Sequence, residues 1–389
     1  MAETDSPPLP LIRSTDDRDD GAPSSDRLVR ALRAGEVLRL RRGVYVRTRD
    51  WLEAEPWTRY EYVVAAVALR TPSPLFCRQS ALLLHGLPLP TNPDRVHVRV
   101  GGRGSAGTRR APEMTEGAAA QRRLAAEAMP AGGSVDLRRL LRPTPTHQLE
   151  AAQPAGVDRA TLRELIASGE HHQPSLALPG DALASVVGPA SYLVEPLGLA
   201  LVDTVSRVDL PSGVALLDAA LRRDDLDVET WLGHLPTARR RRIWQRAWEL
   251  ADPVSESVGE SVSRAQIHAL GFEAPTLQRA ISTDIGEFRV DFCWEDAGVI
   301  CEFDGRIKYF DAGMRGDNTP AQQVYTEKQR EDALRRQGWR FDRWGWPEAW
   351  SPRVLAARLE AVGIPRVRQL SRPHPVLMRQ PGRDIRVRT

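Results

Sequence analysis

The apolar and polar positions follow their most regular pattern between residues 254 and 348. Apolar residues recur at helical spacing after Glu260 until Gly271, and glycine commonly ends a helix. Short apolar runs separated by turn residues follow, and they predict strands. The predicted elements are, in order, a helix containing Glu260, an extended segment at 275–281, strands at 288–294 and 299–304, a charged helix at 322–337 and a strand at 339–344. Their order is α–β–β–β–α–β.

Alternation within the strand at 288–294 predicts two distinct faces. One face would carry Phe288, Val290, Phe292 and Trp294, and the other Arg289, Asp291 and Cys293. In the next strand, Glu302 and Asp304 share a face. Carboxylates from two neighbouring strands are therefore expected near one end of the sheet.

A different pattern occupies the N-terminal part of the chain. A short helix after Asp26 is stopped by Gly35, and two strands at 37–40 and 43–46 enclose an arginine-rich turn. A helix followed by a basic hairpin is the outline of a winged helix-turn-helix, whose wing arginines contact phosphates or the minor groove. Three arginines of this hairpin are the candidate DNA contacts: Arg39, Arg41 and Arg42. A small structural subdomain with a solvated arginine edge is the alternative.

These patterns predict a multi-domain α/β protein, because 389 residues exceed the size of one ordinary core. The N-terminal part is winged-helix-like, and the last domain has the α–β–β–β–α–β order. The predicted boundaries are a flexible leader at 1–25, a winged-helix and α/β region at 26–100, a flexible insertion at 101–135, a helical connector at 136–250, the α–β–β–β–α–β domain at 251–350, and a terminal helix with a basic tail at 351–389.

Composition narrows the classes of function. Hydrophobic content of 41% and charged content of 27% are typical of a soluble globular protein. No apolar run reaches the length of a membrane span, so we expect no membrane partner. Three scattered cysteines indicate a reducing cytoplasm rather than a disulfide framework. The net charge of +3 neither requires nor excludes nucleic acid.

Basic residues also cluster in the connector. A helix predicted at 238–250 begins with four consecutive arginines, of which Arg239 and Arg240 are the candidate phosphate contacts. Trp244 and Trp248 lie one turn apart and predict a packing face on the same helix. Arginine blocks are also common on solvated helix faces, so both interpretations stay open.

The carboxylates of the C-terminal domain are the candidate residues for a metal-dependent reaction. Hydrolysis of a phosphodiester requires stabilisation of phosphate charge and activation of a water, and Mg²⁺ supplies both. Mg²⁺ takes hard oxygen ligands, so a pair of carboxylates, Asp291 and Glu302, is the predicted metal site. Glu260 would orient a metal-bound water or complete the ligand shell. The alternative is that Asp291 and Glu302 are half-exposed strand carboxylates paired with Arg289 or Arg306.

Two stretches carry a resemblance to known families. The runs LRRGVY at 40–45 and QSALLLHGL at 79–87, followed by a short His-containing strand, resemble the AbiEi-type antitoxin regulators. The resemblance covers about the first 100 residues. It implies an N-terminal winged helix that represses its own operon, and a cognate toxin as partner in a bacterial type IV toxin–antitoxin system.

The second resemblance covers residues 254–348. The segments ESVSR, RVDFCW and EFDGRIKY, in α–β–β–β–α–β order, resemble the PD-(D/E)XK restriction-endonuclease-like superfamily, near its Vsr-like branch. It implies catalytic roles for Glu260, Asp291, Glu302 and Asp304. In the superfamily pattern a lysine follows the second carboxylate by two positions, where this chain has Asp304. Lys308, one of two lysines among 54 basic residues, can supply the ammonium group instead.

Three functions therefore remain open. The first is a Mg²⁺-dependent DNA endonuclease fused to an AbiEi-like DNA-binding region. The second is a non-catalytic DNA-binding regulator or antitoxin that keeps the nuclease fold as a scaffold. The third is a structural interaction protein of a defence system.

Overall fold

A computed structural model describes residues 9–14, 25–128, 136–150, 192–233, 235–305 and 320–367. These residues form a mixed α/β architecture of fourteen α-helices and three sheets. The chain divides into two compact units, Met1–Thr204 with Asp227–Pro236, and Val205–Leu226 with Thr237–Thr389. Within the part of the chain that is described, no helix has the length and apolar character needed to cross a membrane.

The first unit begins with the predicted helix and hairpin. Helix α1 (Ser25–Ala34) precedes strands β2 (Val37–Arg41) and β3 (Val44–Arg47), which pair antiparallel. Strand β1 (Leu11–Arg13) pairs with β3 and completes a sheet of order β1-β3-β2. The prediction of a flexible leader is therefore wrong for Leu11, whose side chain is buried in the hydrophobic core of this unit.

The remainder of the first unit surrounds a second sheet. In the described residues this sheet has the order β6-β7-β5-β4-β8. Its strands are β4 (Leu75–Phe76), β5 (Val96–Val100), β6 (Gly107–Arg109), β7 (Thr146–Glu150) and β8 (Leu193–Val194). The helices are α2 (Thr48–Glu53), α3 (Pro56–Arg70), α4 (Arg78–Leu84), α5 (Ala118–Ala128), α6 (Leu137–Leu140), α7 (Leu197–Val205) and α9 (Glu229–Leu232). Helix α3 contributes a run of buried residues to the core.

Two predicted boundaries are wrong. The expected insertion at 101–135 contains β6 and α5, whose Ala120 and Leu124 are fully buried. The expected helical connector at 136–250 contains β7 and β8, and these strands pair in parallel with β5 and β4. Neither strand is recognisable locally, because each is short and its stability comes from partners distant in the chain.

A buried ionic cluster holds this second sheet to α7. Arg99 on β5, only 1% exposed, donates to Glu195 at 2.5 Å and to Asp203 at 2.9 Å. Arg78 donates to the same Asp203 carboxylate at 2.7 Å. Arg78 has a φ of 51°, so the first residue of α4 is held in the left-handed region. Buried charges must be paired, and this pairing ties three chain segments together.

His97 lies beside this cluster and makes the stability of the first unit dependent on pH. Burial, followed by the charges of Arg78 and His147, lowers the pKa of His97 to about 3. An unfolded histidine titrates near ~6.5, so the unfolded state binds more protons between these two values. The stabilising contribution is therefore complete above that unfolded pKa and is lost as the pH falls toward the folded pKa.

We expect His97→Gln to flatten the pH dependence of unfolding between pH 6.5 and 4. In the wild-type chain His97 accounts for about 1.4 kcal/mol of unfolding free energy per pH unit. Urea unfolding of both proteins across this range, followed by circular dichroism, measures the difference. Parallel slopes for the two proteins would contradict the assignment to His97.

The second unit contains the predicted α–β–β–β–α–β order. Its described helices are α8 (Leu210–Leu221), α10 (Ala238–Trp248), α11 (Val258–Ala269), α12 (Pro320–Arg336), α13 (Trp346–Ala349) and α14 (Pro352–Ala361). Its strands are β9 (Thr276–Thr283), β10 (Gly286–Trp294), β11 (Val299–Phe303) and β12 (Arg340–Trp344). The sheet order is β12-β11-β10-β9, with β11 and β12 parallel and the other neighbours antiparallel.

Strand β10 does not alternate as its sequence predicts. Val290 packs with Cys293, Ile300 and Leu334 in one cluster, whereas Phe292 belongs to the cluster of Trp344. The predicted common face of Val290 and Phe292 is therefore wrong. The ladder with β9 is interrupted at Asp291, opposite Gln278, where the β9 backbone has a φ of 50°. A local irregularity of this kind reorients side chains, and it frequently marks a functional site.

The first turn of α11 lies against the end of β11. A Cβ added to Gly259 would lie 1.9 Å from the ring of Phe303. Phe303 itself packs edge-on against Trp346, with the ring centroids 5.0 Å apart. Only glycine therefore permits this close approach, which brings Glu260 next to the sheet.

Gly259→Ala is expected to lower the free energy of unfolding by about 1–3 kcal/mol, although alanine is the better helix former. Gly305→Ala is the matched control, because its Cβ would meet the same Phe303 ring at an ordinary 3.5 Å. Near-ultraviolet circular dichroism of thermal unfolding compares the variants. Equal destabilisation by both substitutions would show that the close approach is not the cause.

Candidate active site

Glu260 occupies the first turn of α11, where its backbone and side chain both take part in the cap. Ser257 accepts from the Glu260 backbone N–H at 3.2 Å, and its hydroxyl donates to Glu260 Oε1 at 2.6 Å. The backbone N–H of Glu256 donates to Oε2 at 2.9 Å. This reciprocal arrangement resembles a capping box, which a Ser-x-x-Glu pattern predicts. Glu260 is buried, with 5% of the residue exposed, and the cap holds its carboxylate in one position.

Gln278 joins Glu260 to Asp291. Its Nε2 donates to Glu260 Oε2 at 2.8 Å and to Asp291 Oδ1 at 3.2 Å. The second oxygen of Asp291, Oδ2, accepts from the backbone N–H of Phe303 at 2.9 Å. One half-buried network therefore links α11, β9, β10 and the end of β11. The strained backbone of Gln278 is the local conformation that points its amide between the two carboxylates.

Glu302 lies next to Phe303 on β11, but two arginines hold its carboxylate. Arg330 on α12 donates to Oε1 through both terminal nitrogens, and Arg343 on β12 donates to Oε2 at 2.8 Å. Glu327 on α12 also accepts from Arg343 and pairs with Arg330. Burial and the neighbouring Arg343 lower the pKa of Arg330. The contacts between Glu302 and the arginines are charge-assisted hydrogen bonds. Because only 8% of Glu302 is exposed, they are largely shielded from water.

The predicted catalytic residues are thus partly brought together. Glu260 and Asp291 share one donor, and Glu302 is adjacent to the backbone group that binds Asp291. Asp304 follows β11 and is half-buried, with its backbone N–H donating to Trp344 at 2.8 Å. Lys308 lies outside the described residues. Of the two arginines in the alternative pairing, Arg289 instead contacts Glu256 at 2.5 Å on the surface, and Arg306 lies outside the described residues.

Arg330 and Arg343 were not recognised from the sequence. Arg343 stands opposite Glu302 in the parallel register of β11 and β12, a pairing between residues 41 positions apart. Arg330 reaches the same carboxylate from 28 positions away on a helix rich in charge. The sequence indicates them only through their positions. Arg330 lies in the last helix, and Arg343 in the last strand, of the predicted α–β–β–β–α–β order.

The arginines predicted to bind DNA in the N-terminal hairpin divide into two kinds. Arg41 is buried and donates to the backbone oxygens of Leu40 and Thr144 and to the hydroxyl of Thr146. Burial lowers its pKa to about 10. The prediction that Arg41 contacts DNA is therefore wrong, because its guanidinium group links the hairpin to the segment before β7. Arg39 is half-buried and donates to Glu113 O at 3.2 Å, whereas Arg42 is exposed in the turn.

The arginine block on α10 is similarly mixed. Arg240 donates to the backbone oxygen of Ser206 at 2.8 Å and so has a structural role. Arg239, Arg242 and Arg246 are exposed and lie at helical spacing along one side of α10. Of the two residues of the predicted packing face, Trp244 is buried and Trp248 half-buried, and they stack with ring centroids 5.6 Å apart.

The carboxylates suit Mg²⁺ by ligand type, since they offer hard oxygens. Glu260 and Asp291 accept from an amide, a hydroxyl or backbone N–H groups, which a bound cation can replace. Glu302 differs, because a cation on its carboxylate would lie beside two guanidinium groups. Among the described residues, no group of three or more His, Cys, Asp or Glu side chains has the geometry of a metal site.

Comparisons of the chain with protein-family models, with curated proteins and with solved structures find no match. The function has to be inferred from the site itself. Its distinctive features are the shared amide between two carboxylates and a third carboxylate, that of Glu302, held by one arginine on α12 and one on β12.

Gln278→Glu tests the shared-amide arrangement. The substitution replaces a donor by a third carboxylate between Glu260 and Asp291, at the same strained backbone position. We expect the free energy of unfolding to fall by about 1–3 kcal/mol in chelator, because a half-buried donor is lost and like charges meet. Millimolar Mg²⁺ should restore part of this loss.

Gln278→Met is the control for this experiment, because it removes the amide without adding charge and keeps the side chain long. Its stability should fall but should not respond to Mg²⁺. Thermal unfolding of each protein with and without Mg²⁺ supplies the comparison. Equal Mg²⁺ responses by the two variants would exclude cation binding between these carboxylates.

Proposed function

We propose that this protein is a Mg²⁺-dependent DNA endonuclease, with its active site in the second unit. The observation that carries the proposal is the network in which the Gln278 amide joins Glu260 to Asp291, while the backbone N–H of Phe303, the residue after Glu302, donates to Asp291. The α–β–β–β–α–β order with a mixed sheet supports the resemblance to the PD-(D/E)XK superfamily, and so does the position of these carboxylates on β10, β11 and the first helix.

Each residue has a distinct role in the proposed reaction. Asp291 and Glu302 would hold Mg²⁺, which when bound stabilises phosphate charge and lowers the pKa of a coordinated water. Glu260, fixed by Ser257 and Gln278, accepts a hydrogen bond from the attacking water and so orients it. Asp304 occupies the sequence position of the usual lysine, and Lys308 is assigned the role of the ammonium donor.

For the first unit we propose an AbiEi-like role as a DNA-binding antitoxin or operon regulator, with a cognate toxin as protein partner. The helix α1 and the β2–β3 hairpin support it, since they have the outline of a helix and a wing. Arg42 at the exposed turn is the residue best positioned to contact DNA there. The three free, buried cysteines support a cytoplasmic location.

A non-catalytic DNA-binding regulator is the second candidate. It is favoured by one observation, namely that Glu302 is neutralised by Arg330 and Arg343. A carboxylate retained for a salt bridge needs no metal, and the superfamily lysine position is occupied by Asp304. In this case the second unit would serve as a scaffold and the exposed arginines of α10 would contribute to DNA binding.

Plasmid nicking in Mg²⁺ distinguishes the two candidates. Asp291→Asn and Glu302→Gln are each expected to reduce the nicking rate by about 100-fold or more. Glu295→Gln is the matched control, because Glu295 lies at the exposed β10–β11 turn and pairs with Arg279 at 2.9 Å. It should retain wild-type activity.

Wild-type protein that binds plasmid in a salt-sensitive manner but never nicks it would instead favour the regulator. Deletion of residues 1–57 addresses the first unit separately. DNA binding that survives this deletion unchanged would reject the winged-helix assignment.

A further inference from the structure

The carboxylate of Glu302 is paired with two arginines and is also a predicted ligand for Mg²⁺, so the arginines and the cation compete for it. Arg330 and Arg343 approach its carboxylate from α12 and β12 and satisfy one oxygen each. Both guanidinium groups are largely sheltered, with 16% and 26% of their side chains exposed. They are therefore held in place, and they are not mobile surface charges.

Aromatic rings restrict the two guanidinium groups further. Arg330 lies 6.0 Å from the ring centroid of Phe288, and Arg343 lies 5.3 Å from that of Phe341. A guanidinium group over an aromatic face is attracted by the ring, which favours one position of its donors. Each arginine also contacts Glu327, so a partial counter-charge remains if Glu302 is withdrawn. The pair is thus preorganised to receive another planar or tetrahedral oxyanion in place of the Glu302 carboxylate.

We propose that Arg330 and Arg343 form the binding site for a DNA backbone phosphate beside Asp291, and that this phosphate displaces Glu302 from them. The inference rests on the proposed nuclease function, because it assigns the substrate contacts of that same site. Guanidinium groups bind phosphate oxygens through paired N–H donors, as they bind carboxylates. No bond is made or broken in this exchange of ion pairs.

The exchange has a consequence for metal binding. While the arginines hold Glu302, their positive charge opposes a cation on the same carboxylate. A phosphate on the arginines frees Glu302 and neutralises that charge. DNA and Mg²⁺ therefore strengthen each other's binding, and the coupling must be reciprocal. The pairing of Glu302 with arginine in the free protein keeps the site incomplete until DNA arrives.

A purely structural ion pair is the competing explanation. In that case Arg330 and Arg343 would stabilise α12 and β12 against the sheet, and their loss would lower the melting temperature without altering ligand binding. The two explanations differ most clearly for Glu302→Gln. If the arginines bind phosphate, this nearly isosteric change frees them for DNA and tightens DNA binding. If the pair is purely structural, the same change only weakens the pair and lowers stability.

The test uses the full chain and a short DNA duplex in EDTA, so that neither metal nor cleavage takes part. We expect Glu302→Gln to tighten DNA binding about fivefold or more. Arg330→Gln and Arg343→Gln should each weaken it about fivefold and reduce the slope of log affinity against log salt by about one. Arg336→Gln is the matched control, since Arg336 lies on the same helix and pairs with Asp284 on the surface.

Calorimetry with Mg²⁺ alone supplies the second measurement. Arg330→Gln should bind Mg²⁺ about fivefold more tightly than the wild type, because an opposing charge is removed. Unchanged DNA affinity of Glu302→Gln in EDTA would overturn the proposal, even if an arginine variant failed to fold. Wild-type DNA affinity for both arginine variants, at wild-type stability, would overturn it as well.

The nuclease proposal fails by a different result. A wild-type protein that does not nick DNA, with a Mg²⁺ titration unaffected by Asp291→Asn, would reject catalysis. The EDTA measurements would still decide whether Arg330 and Arg343 bind phosphate.

Discussion

A carboxylate removed from water must be paired, and this constraint organises the candidate site. Asp291 is satisfied by the Gln278 amide and by the backbone N–H of Phe303, which ties the middle of β10 to the end of β11. Glu260 enters the same network through the same amide, because Gly259 allows α11 to touch the sheet. Gln278, whose backbone has a positive φ, donates to both carboxylates at once. Removal of one partner would leave the others partly desolvated and unpaired.

The same constraint acts in the first unit with a different result. The buried Arg99, Glu195 and Asp203 form an ionic cluster with the half-buried Arg78, and this cluster links β5, the end of β8 and α7. Arg41 is similarly enclosed, with its donors directed to backbone oxygens. Almost all basic side chains of this protein are arginines. Buried guanidinium groups such as those of Arg99 and Arg41 link segments of the fold to one another. An arginine-rich segment is for that reason a weak predictor of nucleic-acid contact until burial is known.

Glu302 represents a third outcome, in which both carboxylate oxygens are paired with arginines that have a second acidic partner. Arg330 and Arg343 are only partly buried and also contact Glu327. The competing interpretations of the second unit, catalysis or scaffold, both depend on this carboxylate. A site that remains self-neutralised until a phosphate arrives would avoid cation binding without substrate. It would also limit cleavage to DNA that is already engaged.

The sequence by itself determined the order of elements from α11 to β12, the capping of α11, and the carboxylates of β10 and β11. These depend on local periodicity, turn residues and capping, which act over a few positions. Tertiary structure decided the face change at Asp291, the burial of Arg41, and the entry of β7 and β8 into a sheet of the first unit. It also decided that Glu302 meets arginines 28 and 41 positions away. These features depend on strand register and on ion pairs between segments that are distant in the chain. They also depend on which groups are removed from water, which is a property of the packed fold and does not appear as a periodic pattern in the sequence.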